Sequence, residues 1–405
     1  MLKILIVSQH FFPDNFRINE IAEELVKESH QVTVITSLPD YATGRVPKDC
    51  RGLKNRKFMY NGVSVIRCFS VSRRSGVLFR ALNYVTFCLS STLKALFLKE
   101  RFDIVMCYQT SPVLMANAAR AAAKKQKIPF LLYCLDLWPE SIKAWHVGEG
   151  NPLFKIMHRY SKGIYNSADK VAVTSRPFID YLCDVNNVDR DKTVYLPQHS
   201  ENMNLSLKTP KESSKDSDIV FAFGGNIGSV QNVDCIIKAV NEIKDIQNFR
   251  VEIYGDGSEY ENCLKLAEDL NVGEKIKFFG RVDKASLWKA YDNVDAFILT
   301  LKSEGVIGQT VPAKLQEYMS GERPVFASID GAAAEIINES GCGVCVRSGD
   351  YRGLSEKMAD FIQNPQNYSN CGKNGKDYFE NHFTIEQFIK SLGLIIDEAL
   401  KGSAK

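Results

Sequence analysis

Lys3-Ile-Leu-Ile-Val-Ser8, then Asn19-Glu-Ile-Ala-Glu-Glu-Leu-Val-Lys-Glu28, then Gln31-Val-Thr-Val-Ile-Thr36: the chain opens with an apolar run, a helical pattern and a second apolar run. The first run is short, and polar Ser8, Gln9 and His10 follow it, so it reads as a first β-strand and not as a leader peptide. The same alternation continues outward. Strands are expected at 63–67, 103–107, 130–134, 170–174 and 193–196, with a helical pattern at 112–125. Short apolar runs alternating with helical patterns are the signature of a doubly wound parallel α/β sheet.

At 202–218 the chain turns polar, rich in Ser, Lys, Pro and Asp, as a linker would. The pattern then restarts. Strands are expected at 219–223, 250–254, 275–279, 296–299, 324–327 and 343–346, with helices at 235–243, 260–270, 284–293 and 313–320. A last helix is expected at 385–400. The organisation is therefore a Rossmann-like domain at 1–201, a linker at 202–218, a second Rossmann-like domain at 219–384 and a closing helical segment at 385–405. A chain of 405 residues fits this division into two domains.

With 45% hydrophobic and 24% charged residues the composition is that of a soluble globular protein. No apolar stretch reaches about 18 residues, the length that spans a bilayer. Eleven cysteines, odd in number and scattered, read as reduced thiols of a cytoplasmic protein. Cys342-Gly-Val-Cys345 lacks the second pair that zinc needs, and reads as part of a late strand. The net charge of +3 conceals an asymmetry. Residues 1–200 hold 28 Lys+Arg against 17 Asp+Glu, a surplus of +11, and the remaining 23 and 31 give −8. A basic first half suggests an anionic partner, phosphate or acidic lipid. Nucleic acid is disfavoured, because the charge is confined to one half and no nucleic-acid motif accompanies it.

Ligands of such sheets bind at the carboxyl ends of strands, where loops enter helix N-termini that favour phosphate. Gly224-Gly225-Asn226-Ile227-Gly228 directly follows an expected strand and could form a nest for a diphosphate, or merely a tight turn. Further on, Thr310-Val-Pro-Ala-Lys-Leu-Gln-Glu-Tyr-Met-Ser-Gly-Glu-Arg-Pro-Val325 reads as a helix that Pro312 starts and Gly321 ends. Lys314 lies in its first turn, placed for a phosphate. Glu317 is three residues on, on the same face, placed for the hydroxyls of a ribose. A surface Lys–Glu pair is the plain alternative.

These segments resemble family 4 of the retaining glycosyltransferases, which have the GT-B fold, two doubly wound α/β domains facing across a cleft. The resemblance covers nearly the whole chain and is closest to bacterial enzymes of capsule and O-antigen assembly. It is carried by Gln31–Thr36, Asp136-Leu-Trp-Pro-Glu-Ser141, Pro197-Gln-His-Ser-Glu201, Phe223–Gly228, Tyr254-Gly-Asp-Gly257, Phe279-Gly-Arg-Val282 and Pro312–Val325.

The resemblance implies a donor site for a nucleotide-diphosphate sugar, UDP-linked on family frequency. It would comprise Gly225, Asn226, Ile227, Gly228, Gly255, Gly280, Arg281, Val282, Gln309, Thr310, Val311, Lys314 and Glu317. Two family features differ. The first of two glutamates eight positions apart is Gln309 here, with Glu304-Gly305 displaced from the expected place. The Arg and Lys that follow the first strand of the second domain are Asn226 and Gln231.

The implied reaction retains anomeric configuration, with the leaving phosphate as base. Lys314 would stabilise the charge developing on the diphosphate, and Asp136, then Glu140, would orient the acceptor or the reacting sugar. Asp136 could instead cap a helix, with Trp138 in the core. Asp14, Asn15 and Arg17, in the loop after the first strand, are the acceptor candidates. That loop lacks G-x-G-x-x-G, which argues against a nicotinamide enzyme. Asp189-Arg-Asp191 lies between strands and reads as solvated, so neither metal nor other cofactor is expected.

Residues 72–101 interleave Arg73, Arg74, Arg80, Lys94, Lys99 and Arg101 with many apolar side chains. This fits either a basic amphipathic helix pair on the inner leaflet of the cytoplasmic membrane or core helices with a basic rim. Peripheral attachment and a lipid-linked saccharide acceptor follow from the first reading. An epimerase of the same architecture and a non-catalytic binding subunit are the competing functions.

Overall fold

A computed structural model describes residues 1–403 except 42, 53, 75, 146, 147, 149, 207–217 and 304. The chain divides into two compact units: Met1–Pro197 with Phe388–Lys405, and Gln198–Gln387. The last helix therefore belongs partly to the first unit, whereas the sequence suggests a segment standing apart. Most of the expected linker falls on 207–217, outside the described residues.

In chain order the first unit holds β1 (Lys3–Val7), α1 (Arg17–Lys27), β2 (Gln31–Thr36), β3 (Lys57–Tyr60), β4 (Val63–Arg67) and α2 (Val77–Leu96). It continues with β5 (Ile104–Gln109), α3 (Ala116–Gln126), β6 (Phe130–Cys134), α4 (Pro152–Ser167), β7 (Lys170–Val173), α5 (Arg176–Asp184) and β8 (Thr193–Tyr195). The second holds β9 (Ile219–Gly224), α6 (Val233–Glu242), β10 (Phe249–Tyr254), α7 (Tyr260–Asp269), β11 (Ile276–Gly280), α8 (Lys284–Tyr291) and β12 (Ala296–Thr300). Then come α9 (Ala313–Ser320), β13 (Val325–Ser328), α10 (Gly331–Ser340), β14 (Gly343–Val346), α11 (Tyr351–Gln363), α12 (Cys371–His382) and α13 (Ile385–Ser403).

Among the described residues the sheets run β3-β4-β2-β1-β5-β6-β7-β8 and β11-β10-β9-β12-β13-β14. All neighbours are parallel except β3, which pairs antiparallel with β4 at the edge. In each sheet the order reverses direction at the first strand, β1 or β9. A crevice opens at the carboxyl ends of the strands where that happens.

The second sheet shows why continuous apolar runs form buried strands. Alternate residues serve opposite faces. Phe221, Phe223, Ile253, Ile298 and Phe326 pack in one core, under α6, α7 and α11. Val220, Ala222, Phe297, Leu299, Val325 and Ala327 pack in the other, with Leu315, Tyr318 and Met319 of α9. Both faces are covered, so no polar alternation survives in these strands. In the first unit Ile4–Val7 and Ile104–Cys107 are likewise wholly buried.

α2 breaks that pattern. Its inward face carries Asn83, Tyr84, Phe87, Cys88, Ser91 and Ala95. Leu78, Leu82, Val85, Leu89, Leu93 and Leu96, spaced by three or four, are exposed by 37–69%. The expected helix pair is thus one helix with an aliphatic stripe turned to water.

Candidate functional site

In the second unit α9 carries two of the expected donor residues, Lys314 and Glu317. The helix spans the expected 313–320 with Pro312 as its N-cap, so Lys314 is its second residue. Tyr318, stacked on Phe297 at 4.3 Å, accepts the Gly224 N–H at 2.9 Å and so ties α9 to the end of β9. That contact brings the Lys314 stem over Gly225, whose φ is +126°, and a β-carbon at Gly225 would collide with it. The ammonium lies 3.9 Å above the Phe223 ring. No ion pair holds it among the described residues. Burial pushes Lys314 down to about 8, against the raising influence of Glu317. A cation desolvated in this way gains most from an anion placed beside it.

Three strand-end loops are stitched together here. Gly225 N–H donates to the Tyr254 carbonyl at 2.8 Å, Gly255 N–H to Gly280 at 2.7 Å, and Ile227 N–H to Asp256 at 2.9 Å. Gly255, at φ +135°, sits so close to the Gly225 carbonyl that no side chain fits. Beside this seam lies a cavity of about 540 Å³, lined by Gly225, Asn226, Gly255, Asp256, Arg281 and Val282, among others. Its size suits a small-molecule ligand.

The expected backbone nest is not formed. The N–H groups of Gly225 and Ile227 are used in the seam, and that of Gly228 donates to Gln231 Oε1 at 3.1 Å. Ile227 is fully buried, a packing residue and not a ligand contact. Asn226 donates to the same Gln231 oxygen at 2.9 Å. Gln309 ends the short helix Gly305–Gln309, with Thr310 and Val311 leading into α9. Glu304 lies outside the described residues.

In the first unit Asp136 follows β6 and is half-buried. Its carbonyl accepts from Gln109 Nε2 at 2.8 Å. Trp138 is 3% exposed, so it fills the core as the alternative reading has it. Its ring N–H donates to Ser111 at 2.6 Å and its backbone N–H to Tyr165 at 2.9 Å. Glu140 has both oxygens engaged, one by the Tyr181 hydroxyl at 2.7 Å and one by Lys143 at 2.6 Å. The Asp189 side chain caps the short helix Arg190–Lys192, and Arg190 pairs with Asp180 at the surface. Among the described residues no three His, Cys, Asp or Glu side chains converge as metal ligands would.

Of the acceptor candidates, Asn15 is exposed and Arg17 half-buried at the start of α1. Asp14 is buried and accepts the Tyr41 N–H at 3.4 Å. Near it stands a group the sequence did not single out. Asp40, 2% exposed, accepts from the Arg73 N–H at 2.7 Å and from Asn83 Nδ2 at 3.1 Å. Burial pushes Asp40 up to about 6, the Arg73 N–H opposing and Asp14 adding. His10 stacks on Phe16 at 4.9 Å, and burial, then the Arg73 charge, pushes it down to about 3. The visible signal was an acid shortly after a strand's carboxyl end.

Two family models match in tandem: "Glycosyl transferase 4-like domain" over residues 15–199 and "Glycosyl transferases group 1" over 207–378. The chain belongs to the family 4 type of GT-B glycosyltransferases. Among such proteins it is 24% identical to the Pseudomonas aeruginosa protein named "Probable glycosyltransferase WbjE", over 68% of this chain and 70% of that one. It is 21% identical to the lipopolysaccharide 1,6-galactosyltransferase of Escherichia coli K12, over 64% and 66%. The solved structure of Anabaena Alr3699/HepE in complex with UDP superposes with a TM-score of 0.70 at 13% identity, over 98% of this chain and 100% of that one. This glycosyltransferase is thus related to enzymes of bacterial surface polysaccharide synthesis. Asn226 and Gln231, uncharged, are bonded to each other beside the end of β9. Lys314 is a half-buried cation beside them.

Proposed function

We propose that the chain transfers a sugar, with retention of configuration and without a metal, from a UDP-sugar to a lipid-linked saccharide of O-antigen or capsule type. The observation that carries this is Lys314 seated over Gly225, with Glu317 one helical step away. In this reading the ammonium meets the diphosphate and Glu317 accepts from the ribose hydroxyls. Arg281 and Val282 border the base. The acceptor hydroxyl attacks from the face that the nucleotide leaves, and the departing phosphate takes its proton. Lys314 and the start of α9 then stabilise the leaving charge. Asp136 orients the acceptor, and Asp14, Asn15 and Arg17, at the entry to α1, bind it. The UDP complex of Alr3699/HepE supports the choice of nucleotide, and the E. coli galactosyltransferase supports a lipopolysaccharide-like acceptor.

No helix among the described residues is long and apolar enough to cross a membrane. The stripe on α2, flanked by Arg73, Arg74 and Arg80, supports peripheral attachment to an anionic inner leaflet. A thermal-shift series with UDP-, GDP- and dTDP-sugars tests the donor, since a ligand of the folded state raises the melting temperature. UDP-sugars should give the largest rise. The product anomer, followed by NMR with EDTA present, should match the donor. Conversion of a UDP-sugar with no acceptor would instead mark an epimerase.

A further inference from the structure

The first unit contains a second and larger hollow, of about 1310 Å³, at the end of β4 and the entry to α2. None of the residues singled out for donor, acceptor or catalysis lines it. Four arginines do: Arg45, Arg51, Arg56 and Arg74. Arg51 donates to the Val46 carbonyl at 3.0 Å and Arg56 to that of Gly52 at 2.6–2.8 Å. The Arg74 guanidinium stands 5.5 Å from the Phe79 ring. Among the described residues none of the four is ion-paired. The carboxylate of Asp49, close by in sequence, acts on Arg67 and Cys50, neither of which lines the hollow. Arg45, Arg51 and Arg74 are exposed and Arg56 half-buried, so all four heads can reach a ligand in the hollow, and guanidinium forks suit phosphate oxygens.

The rest of the wall is apolar. Phe69 is 54% exposed there, and Phe79 belongs to the first turn of α2. Leu78, beside Phe79, begins the aliphatic stripe, which runs to Leu96 for roughly 27 Å at 1.5 Å per residue. Cations in a hollow that opens onto a hydrocarbon track describe a ligand with a multiply charged head and a long apolar tail.

We propose that this hollow binds the diphosphate of the lipid-linked acceptor, with the tail leaving past Phe69 and Phe79 along α2. The assignment rests on the reading that the acceptor is lipid-linked. Farnesyl diphosphate is a soluble probe of it, with inorganic pyrophosphate, farnesol and phosphatidylglycerol vesicles as comparisons. Arg45→Ala/Arg74→Ala is the variant, because neither side chain hydrogen-bonds the chain among the described residues. Farnesyl diphosphate should bind the wild type, pyrophosphate should compete, and the variant's Kd should rise at least about tenfold with UDP affinity unchanged. An unchanged Kd overturns the site, as does farnesol binding as tightly as the diphosphate. So does a variant that loses vesicle binding alone, which would make the hollow a headgroup site of the bilayer. If the variant fails to fold, the wild-type salt slope decides: steep supports the site and flat overturns it. Failure of the wild type to bind UDP would sink the transfer reading and leave this result standing.

Discussion

The two hollows are built from different materials. The one in the second unit is bounded on one side by a backbone seam: Gly255 meets Gly225 and Gly257 meets Ile227 too closely for side chains, while Asn226, Tyr254, Asp256, Arg281, Val282 and Leu287 complete the wall. The one in the first unit is walled by long side chains on loops, with open space around its Gly52. A backbone seam is fixed by three strands at once and tolerates little change. A wall of arginines can be altered one residue at a time without moving the sheet. The first construction suits a ligand part that never varies, the second a part that differs between proteins of one fold.

The sharpest way to break this contrast is a pair of glycine substitutions. Gly255→Ala forces a methyl into the Gly225 carbonyl at a φ of +135° and should cost about 2–4 kcal/mol in urea unfolding, with the UDP thermal shift lost. Gly52→Ala, at φ +64° with nothing nearby, should cost only about 1 kcal/mol. Equal costs would mean that the two walls are not different in kind. Next in size, Lys314→Ala should weaken UDP binding by about 10- to 100-fold, the range for a charge-assisted hydrogen bond. Lys314 titrates near pH 8, so it is charged below that and neutral above it. Wild-type affinity should therefore fall as pH rises from 7 to 9, with proton uptake on binding near pH 8. Calorimetry in buffers of different ionisation enthalpy measures this, and the slope should vanish in the variant.

The smallest effect concerns Asp40. Its folded-state value of about 6 lies above the ordinary 3.8. Between these values the folded chain keeps a proton that the unfolded chain has released, so stability from this group grows as pH falls from 6 towards 4. Asp40→Asn should remove that gain. The wild-type melting temperature should rise relative to the variant's by on the order of 5 °C across the window.

Most of the sheet was legible because both faces are covered, which turns each strand into an uninterrupted apolar run. β3 was not. Its residues Lys57, Phe58, Met59 and Tyr60 alternate in exposure at a sheet edge, and its antiparallel pairing needs no helix to announce it. Lys314 and Glu317 were legible because spacing along a helix is a local property. The engagement of the Ile227 amide was hidden, since its partner Asp256 comes from another strand end. In α2 polar and apolar residues fall on both faces, with Asn83 and Ser91 turned inward and Leu82 and Leu89 outward, so nothing local says which side meets water. The four arginines are spread over thirty residues of chain that include β3 and β4, and only the tertiary fold gathers them.

A water-facing row of aliphatic side chains also has a thermal character. Each one covered contributes up to about 1.5–3 kcal/mol, through a term that weakens on cooling and brings a negative heat-capacity change. Guanidinium attraction to phosphate instead answers to ionic strength. Whatever surface α2 rests on should therefore release the protein in the cold at low salt, and in high salt when warm, by two separable routes.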